Sequence, residues 1–140
     1  MSSIIAPLHT APLGVATLRF FRPPSAMPDV PWHAYDDLLR CIDLPRAAHR
    51  QFHQMLTSGP FKGDVRTVAT SDGIVTIAPH FIAQGLIGAA IEAWGARPEL
   101  EMEYTKALVA AMKQLTGDLP PFASFEFVLA AARNASGAAS

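Results

Sequence analysis

A chain of 140 residues, half of them hydrophobic and only 16% charged, is long enough for one domain with a proper core and too apolar to be disordered throughout. Its formal net charge of −1 carries no argument for nucleic acid until the charges are placed along the chain, and its single cysteine, Cys41, excludes an intrachain disulfide and a CxxC site. Few charges and a positive mean hydropathy predict more apolar surface than a monomer needs, hence a homodimer or another protein partner.

Residues 1–14 read as a flexible arm. They lack Lys and Arg and are broken by Pro7 and Pro12, which does not suit a secretory signal peptide. Residues 15–21, β-branched and aromatic, predict a strand stopped by Pro23 and Pro24. A loop over 25–30 leads to Pro31, which fits the first turn of a helix. Tyr35, Leu38, Leu39 and Ile42 form its buried stripe. Asp43-Leu44-Pro45 closes that helix and opens a second, with Ala48, Phe52, Met55 and Leu56 inward and Ser58-Gly59-Pro60 as its stop.

Residues 65–70 and 74–78 predict an antiparallel hairpin around Asp72-Gly73 in a type I′ turn. Alternation puts Arg66, Val68, Thr70, Val75 and Ile77 on one face and Val65, Thr67, Ala69, Ile74 and Thr76 on the other. Both faces carry apolar residues, so the hairpin should belong to a larger sheet. A third helix from Pro79 to Gly95, apolar nearly all round, should be central to the core. Its Gly85, Gly88 and Ala89 leave a groove that another backbone can approach. A fourth helix starts at Pro98 and runs to about Leu115, with Glu99, Glu101 and Glu103 near its positive N-terminal end. Residues 118–133 form an aromatic arm, helical or extended, and 134–140 a disordered tail. The expected domain is therefore 15–117, of α+β class: a helix-turn-helix-like pair, a small antiparallel sheet with a hairpin wing, and two C-terminal core helices. The longest apolar run, 81–93, is interrupted by Gln84 and Glu92, so a cytoplasmic protein without a membrane span is expected.

Charge is unevenly distributed. Residues 1–66 sum to +2 and 67–140 to −3, while 40–66 alone reach +3. The second helix concentrates this charge: Arg46 and Arg50 lie one turn apart, as do His49 and His53. Gln51 and Gln54 can read adenine edges, and Arg40, Lys62 and Arg66 can bind phosphate. Such a stripe is a solvated face, a DNA contact or a protein contact. Zinc binding by His49 and His53 fails for want of further ligands, and Arg50 between them would repel the metal. No cofactor is expected. His33, Tyr35, Asp36 and Asp37 do not make an acid/base site, because Asp36 and Asp37 diverge on a helix and Tyr35 belongs to the core stripe. An enzyme would need a pocket uniting His33 or His80 with a carboxylate. Trp94, Phe122, Phe125 and Phe127 are the candidate interface residues, covered by their own domain or by a second copy of the chain.

Three segments carry a family resemblance: Leu18-Arg19-Phe20-Phe21, the stretch from Pro31-Trp32-His33 to Asp43-Leu44-Pro45, and the hairpin from Val65-Arg66-Thr67 to Ile77-Ala78-Pro79. Over residues 15–115 this layout resembles the N-terminal domain of Bro-type (Bro-N-like) phage antirepressors. The resemblance implies a regulator of a phage or other mobile element, acting on DNA or on another regulator. It departs where that family has a basic segment in its last helices, since Glu99, Glu101 and Glu103 stand there. The function expected is a small, non-enzymatic DNA-binding transcriptional regulator or antirepressor. The alternative is a protein-binding antagonist acting through the acidic C-terminal half and the aromatic arm.

Overall fold

The structure, a computed structural model, describes residues 4–24 and 28–135. The first residues of the expected arm, positions 25–27 of the expected loop and 136–140 of the expected tail lie outside the described residues. The fold is α+β. Strands β1 (His9–Leu13), β2 (Ala16–Phe21) and β3 (Trp32–Ala34) precede helices α1 (Tyr35–Ile42) and α2 (Arg46–Thr57). A 3-10 turn at Lys62–Asp64 leads into β4 (Arg66–Thr70) and β5 (Gly73–Ala78). Three helices follow: α3 (His80–Trp94), α4 (Glu99–Thr116) and α5 (Pro121–Ala135).

The five strands make one antiparallel sheet in the order β1-β2-β3-β5-β4. The hairpin is thus the β5-β4 edge of a sheet that also contains the 15–21 region, with β3 between them. Two strands depart from the expected elements. Residues 9–13 are β1, and their Pro12 is tolerated because β1 is an edge strand and one of its sides needs no N–H donor. Pro31 precedes β3 and not a helix. The three residues of β3 are all buried, pairing with β2 on one side and β5 on the other before the chain turns into α1 at Tyr35.

Helices α1 to α4 pack on one face of the sheet. Leu13, Leu18 and Phe20 of the strands meet Tyr35, Leu38 and Leu39 of α1, Phe52 and Leu56 of α2, Ile82, Leu86 and Ile87 of α3, and Leu100 and Tyr104 of α4. On the opposite face, Phe21, Trp32, Ala34, Val75 and Ile77 form a smaller cluster with Val68. The hairpin register pairs Val68 with Val75 and Arg66 with Ile77, matching the face assignment expected from alternation. Its turn differs. Thr70 pairs with Gly73, so Ser71-Asp72 is the loop, and Gly73 alone takes a positive φ (117°). Type I′ requires positive φ at both central residues, which Ser71 and Asp72 lack. Thr70 fixes the turn instead: its Oγ1 accepts the Asp72 N–H (3.1 Å) and donates to the Gly73 carbonyl (2.8 Å).

Two contacts set α1 against the sheet. Gly14, at φ 55°, turns β1 into β2 so close to α1 that a Cβ would sit 2.2 Å from the Cys41 carbonyl oxygen. At Arg19, where β3 has given way to α1, the buried Asp37 carboxylate replaces the missing strand. It accepts the Arg19 backbone N–H (3.1 Å) and two guanidinium bonds (2.8 and 3.0 Å), and Arg40 adds a further one. Arg19 also reaches Asp72 at the hairpin tip, 3.8 Å away.

Candidate nucleic-acid interface

α2 is amphipathic because its residues alternate on a helical period. Ala48, Phe52 and Leu56 are buried, and Met55 is half-buried beside them. On the opposite side Arg46, Arg50, His53 and Gln54, at i, i+4, i+7 and i+8, are all exposed, as is Gln51 at the flank; His49 is half-buried. Between residues 46 and 62 there are three cations and no carboxylate. Pro45 caps the helix without a side-chain hydrogen bond, and no acidic residue stands in its first turn. α1 and α4 both carry two acidic residues there. The positive end of α2's dipole is therefore left uncompensated, with Arg46 placed on top of it, an arrangement suited to an anion.

The cations sort into two groups. Arg19 and Arg40 are held by Asp37, and Arg97 by Glu103 (2.9 Å) with Glu99 further off (3.8 Å). Arg66 gives its Nη1 to the carbonyls of Gly63 (3.2 Å) and Val65 (3.0 Å). Arg46, Arg50 and Lys62 make no ion pair among the described residues, so their donors face solvent. Arg40 and Arg66 are exposed but already engaged. His53 lies against the Tyr35 ring, with centroids 6.1 Å apart.

The pocket an enzyme would need has a counterpart in this fold. His80, at the start of α3, lines a depression of about 200 Å³ with Gln84, Glu101, Tyr104 and Thr105. Its Nδ1 lies 3.2 Å from the Tyr104 hydroxyl, and burial lowers its pKa. Behind Tyr104, His33 is completely buried with neither ring nitrogen hydrogen-bonded. Burial first, and then the nearby His80 charge, push its pKa down to about 3 against a smaller opposing pull from Asp37. Burial likewise raises the Tyr104 phenol. Thr105 gives its hydroxyl to the Glu101 carbonyl (2.9 Å), so it is not poised as a nucleophile for His80. Among the described residues no group of three His, Cys, Asp or Glu side chains could hold a metal ion.

At the C-terminus the aromatic arm is the helix α5. Phe122 and Phe125 are exposed and Phe127 is half-buried. Trp94 is half-buried against the main core. No helix among the described residues is long and apolar enough to cross a membrane. No family model, curated protein or solved structure matches the chain.

Proposed function

We propose that this protein is a small DNA-binding regulator that offers the exposed side of α2 to the duplex. The observation that carries the reading is the stripe of Arg46, Arg50, His53 and Gln54. It is exposed, has no carboxylate on its own helix, and holds two arginines without ion-pair partners among the described residues. Phosphate contacts from Arg46, Arg50 and Lys62 would set the register, and Gln51 and Gln54 would meet base edges. The hairpin tip, Ser71 to Ile74, is exposed and can lie on the flanking backbone as a wing. The resemblance to phage antirepressors supports a regulator of a mobile element. The exposed phenylalanines of α5 beside an acidic α4 favour a second reading, a protein-binding antagonist, which would co-purify with a host protein instead of nucleic acid.

The test is fluorescence anisotropy with a labelled duplex over a salt series. Each phosphate contact contributes about 0.9 to the slope of log K against log salt. Arg46→Ala combined with Arg50→Ala should flatten the slope by about 1.8 and weaken binding about sixtyfold at 0.1 M salt. Arg97→Ala, which removes an arginine engaged with Glu103, should leave the slope unchanged. Equal slopes for the wild type and the double variant would refute the assignment.

A further inference from the structure

The segment just before β1 is bonded to both ends of the sheet. The Leu8 N–H gives a 2.8 Å bond to the Phe20 carbonyl, continuing the ladder of β1 on β2. Three residues earlier the Ile5 N–H gives a 2.8 Å bond to the Ala69 carbonyl of β4. β1 and β4 are the opposite edges of the strand order. Thr70 and Gly73 close the two-residue loop of the hairpin, and pairs alternate from there, so the N–H and C=O groups of Ala69 and Thr67 face away from β5. In a flat sheet a segment bonded outside β4 would stand five strand spacings of about 4.8 Å from β1, roughly 24 Å. Three residues of extended chain span at most about 11 Å. The sheet is therefore curled, with residues 5–8 bridging its open side. Helices α1 to α4 cover one face, so the curl closes around the other, where Phe21, Ala34 and Ile77 are buried.

The edge that Ile5 touches is one that readily takes another strand. Edge strands are ordinarily blunted by Pro, Lys or a bulge. β1 has Pro12, whereas the five residues of β4, Arg66–Thr70, include no Pro, Gly or Lys. Arg66 turns back to the Val65 carbonyl (3.0 Å) and Ile5 takes the Ala69 carbonyl. Between them Thr67 is exposed, and among the described residues nothing pairs with its N–H or C=O. The strand also complements itself. About a two-fold axis through Val68, Thr67 of one copy faces Ala69 of the other, each giving its N–H to the other's carbonyl, and Arg66 faces Thr70, so no like charges oppose. That pairing needs the same Ala69 carbonyl that Ile5 holds, so the two contacts exclude each other.

We infer that residues 5–8 are a strap that closes the curled sheet and masks β4, and that its release lets β4 of two copies pair antiparallel about Val68. The strap acts as an autoinhibitory contact: self-association is set by the fraction of chains in which Ile5 has left Ala69.

The test is sedimentation equilibrium of the full chain over a concentration series. Ile5→Pro deletes the N–H that holds the strap, at an exposed position, and Ile5→Ala keeps that N–H and should match the wild type. Loss of one hydrogen bond shifts the strap about fivefold, and a pair needs two open edges, so Ile5→Pro should tighten self-association about twenty-five-fold. Thr67→Pro removes an N–H that faces away from β5, a place where an edge strand tolerates proline. Added to Ile5→Pro, it should return self-association to the wild-type level. Circular dichroism should be the same for all variants. The inference is overturned if Ile5→Pro associates no more than the wild type into the high micromolar range, or if Ile5→Ala associates equally. It is also overturned if the added association survives Thr67→Pro, which would place the contact on another surface.

Discussion

The buried His33 makes stability depend on acid in a way that can be worked out in advance. The imidazole is fully buried with both nitrogens unpartnered, and its pKa falls from the ordinary 6.5 to about 3. A depressed histidine pKa means that the unfolded chain binds a proton that the folded one refuses. The stability that His33 leaves intact above pH 6.5 is therefore lost progressively as pH drops from about 6.5 towards 3. At pH 5 the difference amounts to about 2 kcal/mol, and by pH 3 to between about 4 and 5 kcal/mol. That is a large part of the roughly 5–15 kcal/mol that holds a domain of ordinary stability together. His80, lowered in the same direction by burial, adds to it. The assay is urea denaturation at pH 7 and pH 5, followed by circular dichroism, for the wild type and His33→Leu. Leucine replaces a group with no hydrogen bond to lose, so stability at pH 7 should be nearly unchanged. The loss between pH 7 and pH 5 should shrink by about 2 kcal/mol, because carboxylates and other histidines titrate alike in both proteins. An equal loss in both would refute the argument that His33 stays neutral in the fold.

Asp37→Ala should cost about 3 kcal/mol in urea denaturation, since it strands the Arg19 backbone N–H and guanidinium; Asp37→Asn should recover part, because an amide oxygen can still accept the Arg19 N–H. Cys41 should resist thiol reagents in the native state: burial, helped by the Asp37 charge and opposed by Arg40, pushes its thiol up to about 11. Labelling at pH 8 should run about a hundredfold slower than for an ordinary thiol and become normal in urea.

Residues with a strong period were legible in the sequence, and residues whose role depends on distant partners were not. Ala48, Phe52 and Leu56 recur on a helical period, so periodicity alone separates the buried side of α2 from its exposed side, and with that the basic stripe. The hairpin faces were legible for the same reason. Its turn was not, because Asp72-Gly73 is a strong local signal that the Thr70 hydroxyl and the Thr70–Gly73 pairing override. β3 was hidden because three residues are too few to show alternation and Pro31 imitates a helix start. β1 was hidden by Pro12, a strand breaker everywhere except at a sheet edge. Asp37 could be read only as helping the start of α1. That it terminates a strand ladder at Arg19 requires the topology.

The same distinction sharpens the functional argument. Counted along the chain, 40–66 is a basic segment of +3, and every cation in it carries equal weight. In the fold Arg40 is bonded to a buried carboxylate that also holds Arg19, and Arg66 gives one nitrogen to two carbonyls, so neither offers all its donors to a ligand. What remains is narrower than the segment: Arg46 and Arg50 on one exposed stripe, and Lys62 just beyond the end of that helix. Removing Arg40 or Arg66 should therefore disturb stability or local loop geometry more than the salt dependence of DNA binding. Removing Arg46 or Arg50 should do the reverse. A DNA face spread evenly over all five cations would show five similar changes in salt slope, whereas the proposed face of Arg46, Arg50 and Lys62 would show three.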